Sequence, residues 1–287
     1  MHTLAFVNQK GGCGKTTSAI NLAGALACGG ERVLLVDLDP QAHATLGLGC
    51  AIEDEPTLYD VLTGRATVRE ARQRVAGKID LLPATPALAE FEEAAAVEIR
   101  PEGALRVALD SVARSYDFAI LDCPPRTEGA LAANALRAAD TAVLIIECGA
   151  FALQGALQAM RVLDEIATSM EPSFEMRVLA TLFDRRTRFA KDVLIAIQAR
   201  FGDLVFDTAI RTSVRLRETA SAGVPVQVLD ARSRAAGDFR SLAADVRAHV
   251  ARLTRRRAPA PRDPAVPQAF PGASPQALPG ERLARSR

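Results

Sequence analysis

The sequence contains no tryptophan and no apolar run approaching 18 residues, so it offers no candidate for a membrane-spanning helix. Its five cysteines, Cys13, Cys28, Cys50, Cys123 and Cys148, are odd in number, far apart and without CxxC spacing. That pattern provides neither a disulfide framework nor a zinc site, and reads as reduced cytosolic thiols. The first residues pass directly into a short apolar run, so no signal peptide is expected. No internal repeat is visible, and no helix-turn-helix pattern precedes the first strand, so sequence-specific operator binding is not expected.

The chain of 287 residues is long enough for one core-bearing domain of about 250 residues. Its net charge of +1 conceals an uneven distribution. Residues 1–170 hold 14 Lys/Arg against 22 Asp/Glu, a balance of −8, whereas residues 171–287 hold 21 against 12, a balance of +9. Such a split is compatible with a basic face toward a polyanion.

The chemistry begins at residues 7–17, VNQKGGCGKTT. An apolar run precedes this stretch and a helical pattern, residues 18–28, follows it. Strand, glycine loop, helix is the order a phosphate-binding loop requires. Gly11, Gly12 and Gly14 allow the backbone to turn tightly and aim its amides at phosphate oxygens. Lys15 is spaced for the β- and γ-phosphates of ATP, and Thr16 for Mg²⁺. Cys13 reads as a small loop residue, since no histidine motif nearby supplies a base. Two further apolar runs, residues 33–36 and 118–121, end in carboxylates: Asp37 and Asp39 after the first, Asp122 after the second. Carboxylates at strand ends stand beside the phosphate loop of an open α/β sheet, where Asp122 takes the place of a magnesium-holding aspartate. Pro124 and Pro125 then forbid an immediate helix. The alternation of buried strands and helices predicts an α/β fold: a doubly wound, mostly parallel sheet with helices on both faces, as in P-loop NTPases.

KGGCGKTT, with its extra Lys10, resembles the deviant Walker A loop of the ParA/MinD superfamily of ATPases. DLDPQAHAT, LLPATPALA, the LDCPP turn, CGAFALQG and IRTSVRLRETASAG resemble that family's further motifs, over roughly residues 1–250. The resemblance implies that Lys10 reaches across a dimer to the partner's nucleotide, while Lys15 serves its own. It gives Asp39 the orienting of the attacking water and Asp37 a place in the Mg²⁺ and Thr16 network. The nucleotide-binding set is then Lys10, Gly11, Gly12, Cys13, Gly14, Lys15, Thr16 and Thr17, with Arg211 and Ser213 on the base side. There the chain departs from the family, as Arg211-Thr212-Ser213 replaces Pro-Arg-Asn. Arg126-Thr127-Glu128-Gly129 likewise replaces a serine-rich turn.

The implied activity is Mg²⁺-dependent ATP hydrolysis in an ATP-driven homodimer, stimulated by a ParB-like or cargo-adaptor protein. A ParA-type member would bind DNA non-specifically, through Arg186 and Arg215 with Arg188, Lys191 and Arg217 nearby, and would be cytoplasmic and nucleoid-associated. The alternative is a MinD-like membrane-associated ATPase. That needs a C-terminal amphipathic helix, which prolines interrupt in SPQALPGERLARSR. An iron–sulfur carrier needs a cysteine pair that Cys123 lacks, and a synthetase needs a substrate constellation that is not visible. The expected organisation is an ATPase domain over 1–255 and a disordered Pro/Ala/Arg-rich tail over 256–287.

Overall fold

The computed structural model describes residues 1–97, 102–171 and 173–257. Met1–Val250 forms one compact unit, and a second begins at Ala251. Of the expected tail, everything from residue 258 lies outside the described residues.

Seven strands make one sheet: β1 (His2–Val7), β2 (Val33–Asp37), β3 (Gln73–Val75), β4 (Ile79–Leu82), β5 (Phe118–Asp122), β6 (Thr141–Glu147) and β7 (Glu175–Thr181). Their order is β3-β4-β2-β5-β1-β6-β7, and every neighbouring pair is parallel except β3 with β4. The helices are α1 (Lys15–Cys28), α2 (His43–Gly47), α3 (Leu58–Leu62), α4 (Val68–Ala71), α5 (Ala87–Val97) and α6 (Ala104–Val112). There follow α7 (Ala130–Ala138), α8 (Ala152–Ser169), α9 (Arg188–Phe201), α10 (Val214–Ala222), α11 (Val226–Leu229) and α12 (Arg234–Arg257).

The central strands are apolar on both faces because both faces are covered. Leu4, Phe6, Val33 and Leu35 point into a core shared with α1, α11 and α12. Their neighbours Ala5, Val7, Leu34 and Val36 point into a second core, shared with α3 to α9. The connection leaving β1 runs toward β2 and that leaving β5 runs toward β6, in opposite directions across the sheet. The crevice above such a switch point is the general ligand site of doubly wound sheets.

One segment differs from expectation. Residues 57–76 carry short amphipathic helical patterns at Leu58, Val61 and Leu62 and at Val68 and Ala71, which α3 and α4 follow, but residues 73–75 form the antiparallel edge strand β3. Arg74 lies directly opposite Asp80 in that ladder. An opposite-charge cross-strand pair compensates for three residues too few to show a period of two.

Candidate nucleotide and magnesium site

β1 delivers the loop to the crevice and α1 receives it. Gly12 and Gly14 have φ of 75° and 93°, a left-handed region that a side chain would disfavour, and Gly14 is the residue before α1. Cys13 turns the other way. Its side chain is fully buried, and its carbonyl accepts a 2.7 Å hydrogen bond from Thr181 Oγ1 at the end of β7. Burial pushes its thiol up, against the opposing charge of Lys15. Only the backbone of Cys13 is therefore available to a nucleotide. Gly11, Gly12, Gly14, Lys15, Thr16 and Thr17 line a cavity of about 550 Å³ with Asp39, within the range of small-molecule sites. Lys15 is largely buried, and its Nζ rests 3.3 Å from the Lys10 carbonyl.

Beneath the cavity, Asp37 and Asp122 are register partners at the ends of β2 and β5. Asp37 is well held: Asp39 N donates to Oδ1 at 3.2 Å, and Thr45 N and Oγ1 both donate to Oδ2 at 2.8 Å. Burial still raises its pKa to about 6, against the hydrogen bonds from Thr45 and from Asp39 N, with the charge of Asp39 adding to the rise. Asp122 is fully buried, and among the described residues neither carboxylate oxygen has a hydrogen-bond partner. Burial first, and then the charge of Asp37, pushes its pKa well above the ordinary value. Lys15 and the Thr16 hydroxyl oppose that shift, although Thr16 makes no hydrogen bond of normal geometry. A bare buried carboxylate is costly unless something cationic completes it. Asp122 with the nearby Thr16 fits magnesium, which takes one or two protein oxygens and fills its remaining positions with phosphate and water.

Asp39 is fixed by its own loop, with Gln41 N donating to Oδ1 at 2.9 Å and Ala42 N to its carbonyl at 2.8 Å. The turn costs a left-handed Ala42, φ 53°. After β5, Pro125 reaches the cavity, and Gln9 Nε2 hooks Thr127 Oγ1 at 2.8 Å, joining the loop entrance to the segment after the prolines. Gly129 ends that segment with φ 99°, and a Cβ there would lie 2.0 Å from Glu92 Oε1. The Glu92 carboxylate is itself engaged, accepting from Leu131 N at 2.8 Å. Gly129→Ala is expected to destabilise the fold by about 2–3 kcal/mol. A chemical denaturation midpoint checks this, and an unchanged midpoint would show that Glu92 moves freely.

Lys10 does not line the phosphate cavity. Its Nζ pairs with Glu147 Oε2 at 2.5 Å, beside a separate groove that includes the exposed Phe151. The structure also parts the base-side residues from the loop. Arg211 and Ser213 line a different cavity, of about 440 Å³, and Arg211 forks onto Asp238 of α12. The phosphate cavity is instead walled by Leu216, Thr219 and Ala220 of α10, and by Gln41, His43 and Leu46. The spacing of Leu216, Thr219 and Ala220, one helical face, was the available signal.

Of the five DNA-side residues, Arg186 and Arg217 line the same cavity as Arg211, joined there by Arg185 and Arg234. Arg186 is held by Asp184 at 2.8 Å. Arg215 pairs with Glu218 at 2.7 Å and Asp230 at 3.4 Å, so two carboxylates offset its charge. Arg188 and Lys191 are exposed on α9, with Arg188 3.8 Å from Asp192. Cys123 is buried in the core, which closes it to a cluster ligand's role. No helix among the described residues is long and apolar enough to cross a membrane.

Residues 1–176 match the family model described as an AAA domain. The chain is 39% identical over 252 residues to the chromosome partitioning protein ParA of Caulobacter vibrioides, covering 86% of this chain and 94% of that one. It belongs to the ParA/Soj family. The sporulation initiation inhibitor protein Soj of Bacillus subtilis, another ParA/Soj protein, is 39% identical over 249 residues, covering 86% of this chain and 98% of its own. Among solved structures, cobyrinic acid a,c-diamide synthase from Mycobacterium smegmatis, with a bound ATP analog and magnesium, superposes with a TM-score of 0.77. It shares 32% identity, over 87% of this chain and 95% of that one. Membership of the ParA/Soj family places the chain in the deviant Walker A ATPase superfamily that its loop resembles.

Proposed function

We propose that this chain is an ATP-driven, dimerising ATPase that binds DNA without sequence preference and moves or positions a chromosomal, plasmid or protein cargo. The observation that carries the reading is the bare buried carboxylate of Asp122 under a glycine loop bearing Lys15 and facing Asp39. Bound magnesium would spread the charge of the transferring phosphoryl group. Thr16 and Asp122 hold the ion, Asp37 steadies the strand end beside it, and Lys15 neutralises charge on the β- and γ-phosphates. Asp39, fixed by its own loop, orients water, and Lys10 acts on the nucleotide of a second copy. The name of the Caulobacter relative supports a partitioning role, and the ATP analog and magnesium in the mycobacterial synthase support the cofactors. A ParB-like or cargo-adaptor protein stimulates turnover, and the DNA-bound dimer is nucleoid-associated in the cytoplasm.

The cavity shared by Arg185, Arg186, Arg217 and Arg234 is the stronger candidate for the DNA face, because Arg215 is already paired twice. Duplex DNA retention should appear with ATP and not with ADP, and should fall steeply with salt. It should vanish in Lys15→Ala and weaken at least tenfold in Arg186→Glu/Arg217→Glu, while Arg215→Glu has the smaller effect. A wild-type ATP dimer that retains no DNA at low salt would remove the reading.

A further inference from the structure

At the opposite end of the sheet from the phosphate loop lies a further cavity, of about 460 Å³, at the starts of β2 and β4. Five cationic side chains line it, Arg32, Arg69, Arg72, Arg74 and Lys78, against two carboxylates, Glu31 and Asp80. Both carboxylates are already satisfied. Asp80, largely buried, takes Arg72 Nη1 at 2.5 Å, Arg74 Nε at 2.8 Å and the Tyr116 hydroxyl at 2.7 Å. Glu31 is forked by Arg247, and Arg32 is offset by Asp117 at 2.8 Å. Burial and then Asp80 push the Tyr116 hydroxyl up to about 12, so it stays a neutral donor and adds no negative charge.

What remains is an uncancelled surplus. Two guanidiniums share the single charge of Asp80, and among the described residues neither Arg69 nor Lys78 is paired with a carboxylate. The local structure gathers these cations. Arg69 lies within α4, three residues before Arg72 at its C-cap, which places both on one side of the helix. β3 then sets Arg74 opposite Asp80, and the turn into β4 brings Lys78 back. Lys78 adopts φ 63°, a conformation disfavoured for a lysine. Ala27, Val33 and Val112 form an apolar back wall. A concave, partly apolar site with converging unshared cations is built to take an anion.

We propose that this cavity binds a small phosphorylated molecule, its phosphates held by Arg69, Arg72, Arg74 and Lys78, at a site separate from the nucleotide loop. The concave lining and the apolar Ala27, Val33 and Val112 favour a small ligand over the backbone of a duplex. The inference does not depend on the proposed function, since it uses none of the residues assigned to ATP, magnesium or DNA.

Calorimetric titration with inorganic pyrophosphate, on the full chain saturated with Mg·ADP, tests it. One further binding event is expected. It should weaken at least tenfold in Arg69→Ala/Lys78→Ala, with ADP affinity unchanged; both residues are exposed and leave the Asp80 network intact. Single Arg69→Gln and Lys78→Gln variants, each weakened severalfold, guard against a folding effect in the double variant. Absence of a second event, or one unaffected by the double substitution, overturns the proposal. Displacement of pyrophosphate by short duplex DNA at equal phosphate concentration also overturns it, by making the cavity a contact for the DNA backbone.

Discussion

Asp122→Asn is expected to lower magnesium-dependent ATP turnover by about a hundredfold or more, and at the same time to stabilise the nucleotide-free protein at pH 7. Both effects have one origin. The folded chain holds a carboxylate with no hydrogen-bond partner, out of water and next to Asp37. Such a group is tolerable when a cation completes it and unfavourable when none does. Asparagine keeps the shape and removes the ionisation, so it removes both the cost and the function. This is the stability–activity trade-off expected of an active site.

The pH dependence gives the sign. Asp122 has a folded pKa raised by burial and by Asp37, above its ordinary value of 3.8. The fold thus holds the Asp122 proton more tightly than the unfolded chain does. Wild-type stability therefore rises as pH falls from 7 toward 3, and the difference disappears only below the unfolded value of 3.8, where both states are protonated. Asp37, raised to about 6, adds roughly 3 kcal/mol of the same sign across that window. The gain from Asp122→Asn should be largest at pH 7 and close to zero at pH 3. Urea midpoints at the two pH values measure it. A variant no more stable than wild type at pH 7 would mean that Asp122 carries no such penalty. Mg·ATP should in turn stabilise the wild type more at pH 7 than at pH 5, because occupancy competes with the proton.

The strands and the residues that line the phosphate-loop cavity were legible because their signals are local. An apolar run ending in Asp37 or Asp122 is visible without knowing what lies beside it, and glycines with Lys15 and Thr16 announce a loop. What was not legible depends on pairing between distant segments. Arg215 reads as a free cation in the sequence, and only the fold shows Asp230 within 3.4 Å. Arg211 is likewise drawn to Asp238, 27 residues on, away from the phosphate loop. Charge summed over halves also misleads: residues 1–170 are net acidic, yet Arg69, Arg72, Arg74 and Lys78 converge there. Three residues, Gln73–Val75, are too few to show the edge strand that gathers them. Glu147, the cis partner of Lys10, left no mark in the sequence beyond the end of an apolar run.

That partner frames the other large effect expected, from Lys10→Ala. Lys10 is absent from the lining of its own phosphate cavity and more than half exposed, with its ammonium on Glu147. Removing it should leave the affinity for ATP within about threefold, since the groups facing the nucleotide are untouched. Turnover in the dimer should nevertheless fall by roughly a thousandfold, the range seen when a cation supplied in trans to a phosphoryl transition state is removed. An exposed pair such as Lys10–Glu147 is worth about 0–1 kcal/mol, too little to imprison the lysine and enough to bias it. Glu147→Gln should therefore shift ATP-driven dimerisation by no more than about fivefold, toward the dimer. The two substitutions separate the roles of Lys10, because one deletes the cation and the other only frees it. Lys10→Ala with wild-type turnover would confine Lys10 to its own subunit, with Glu147 as its whole partner. Loss of turnover with nucleotide affinity retained assigns it to the neighbouring active site.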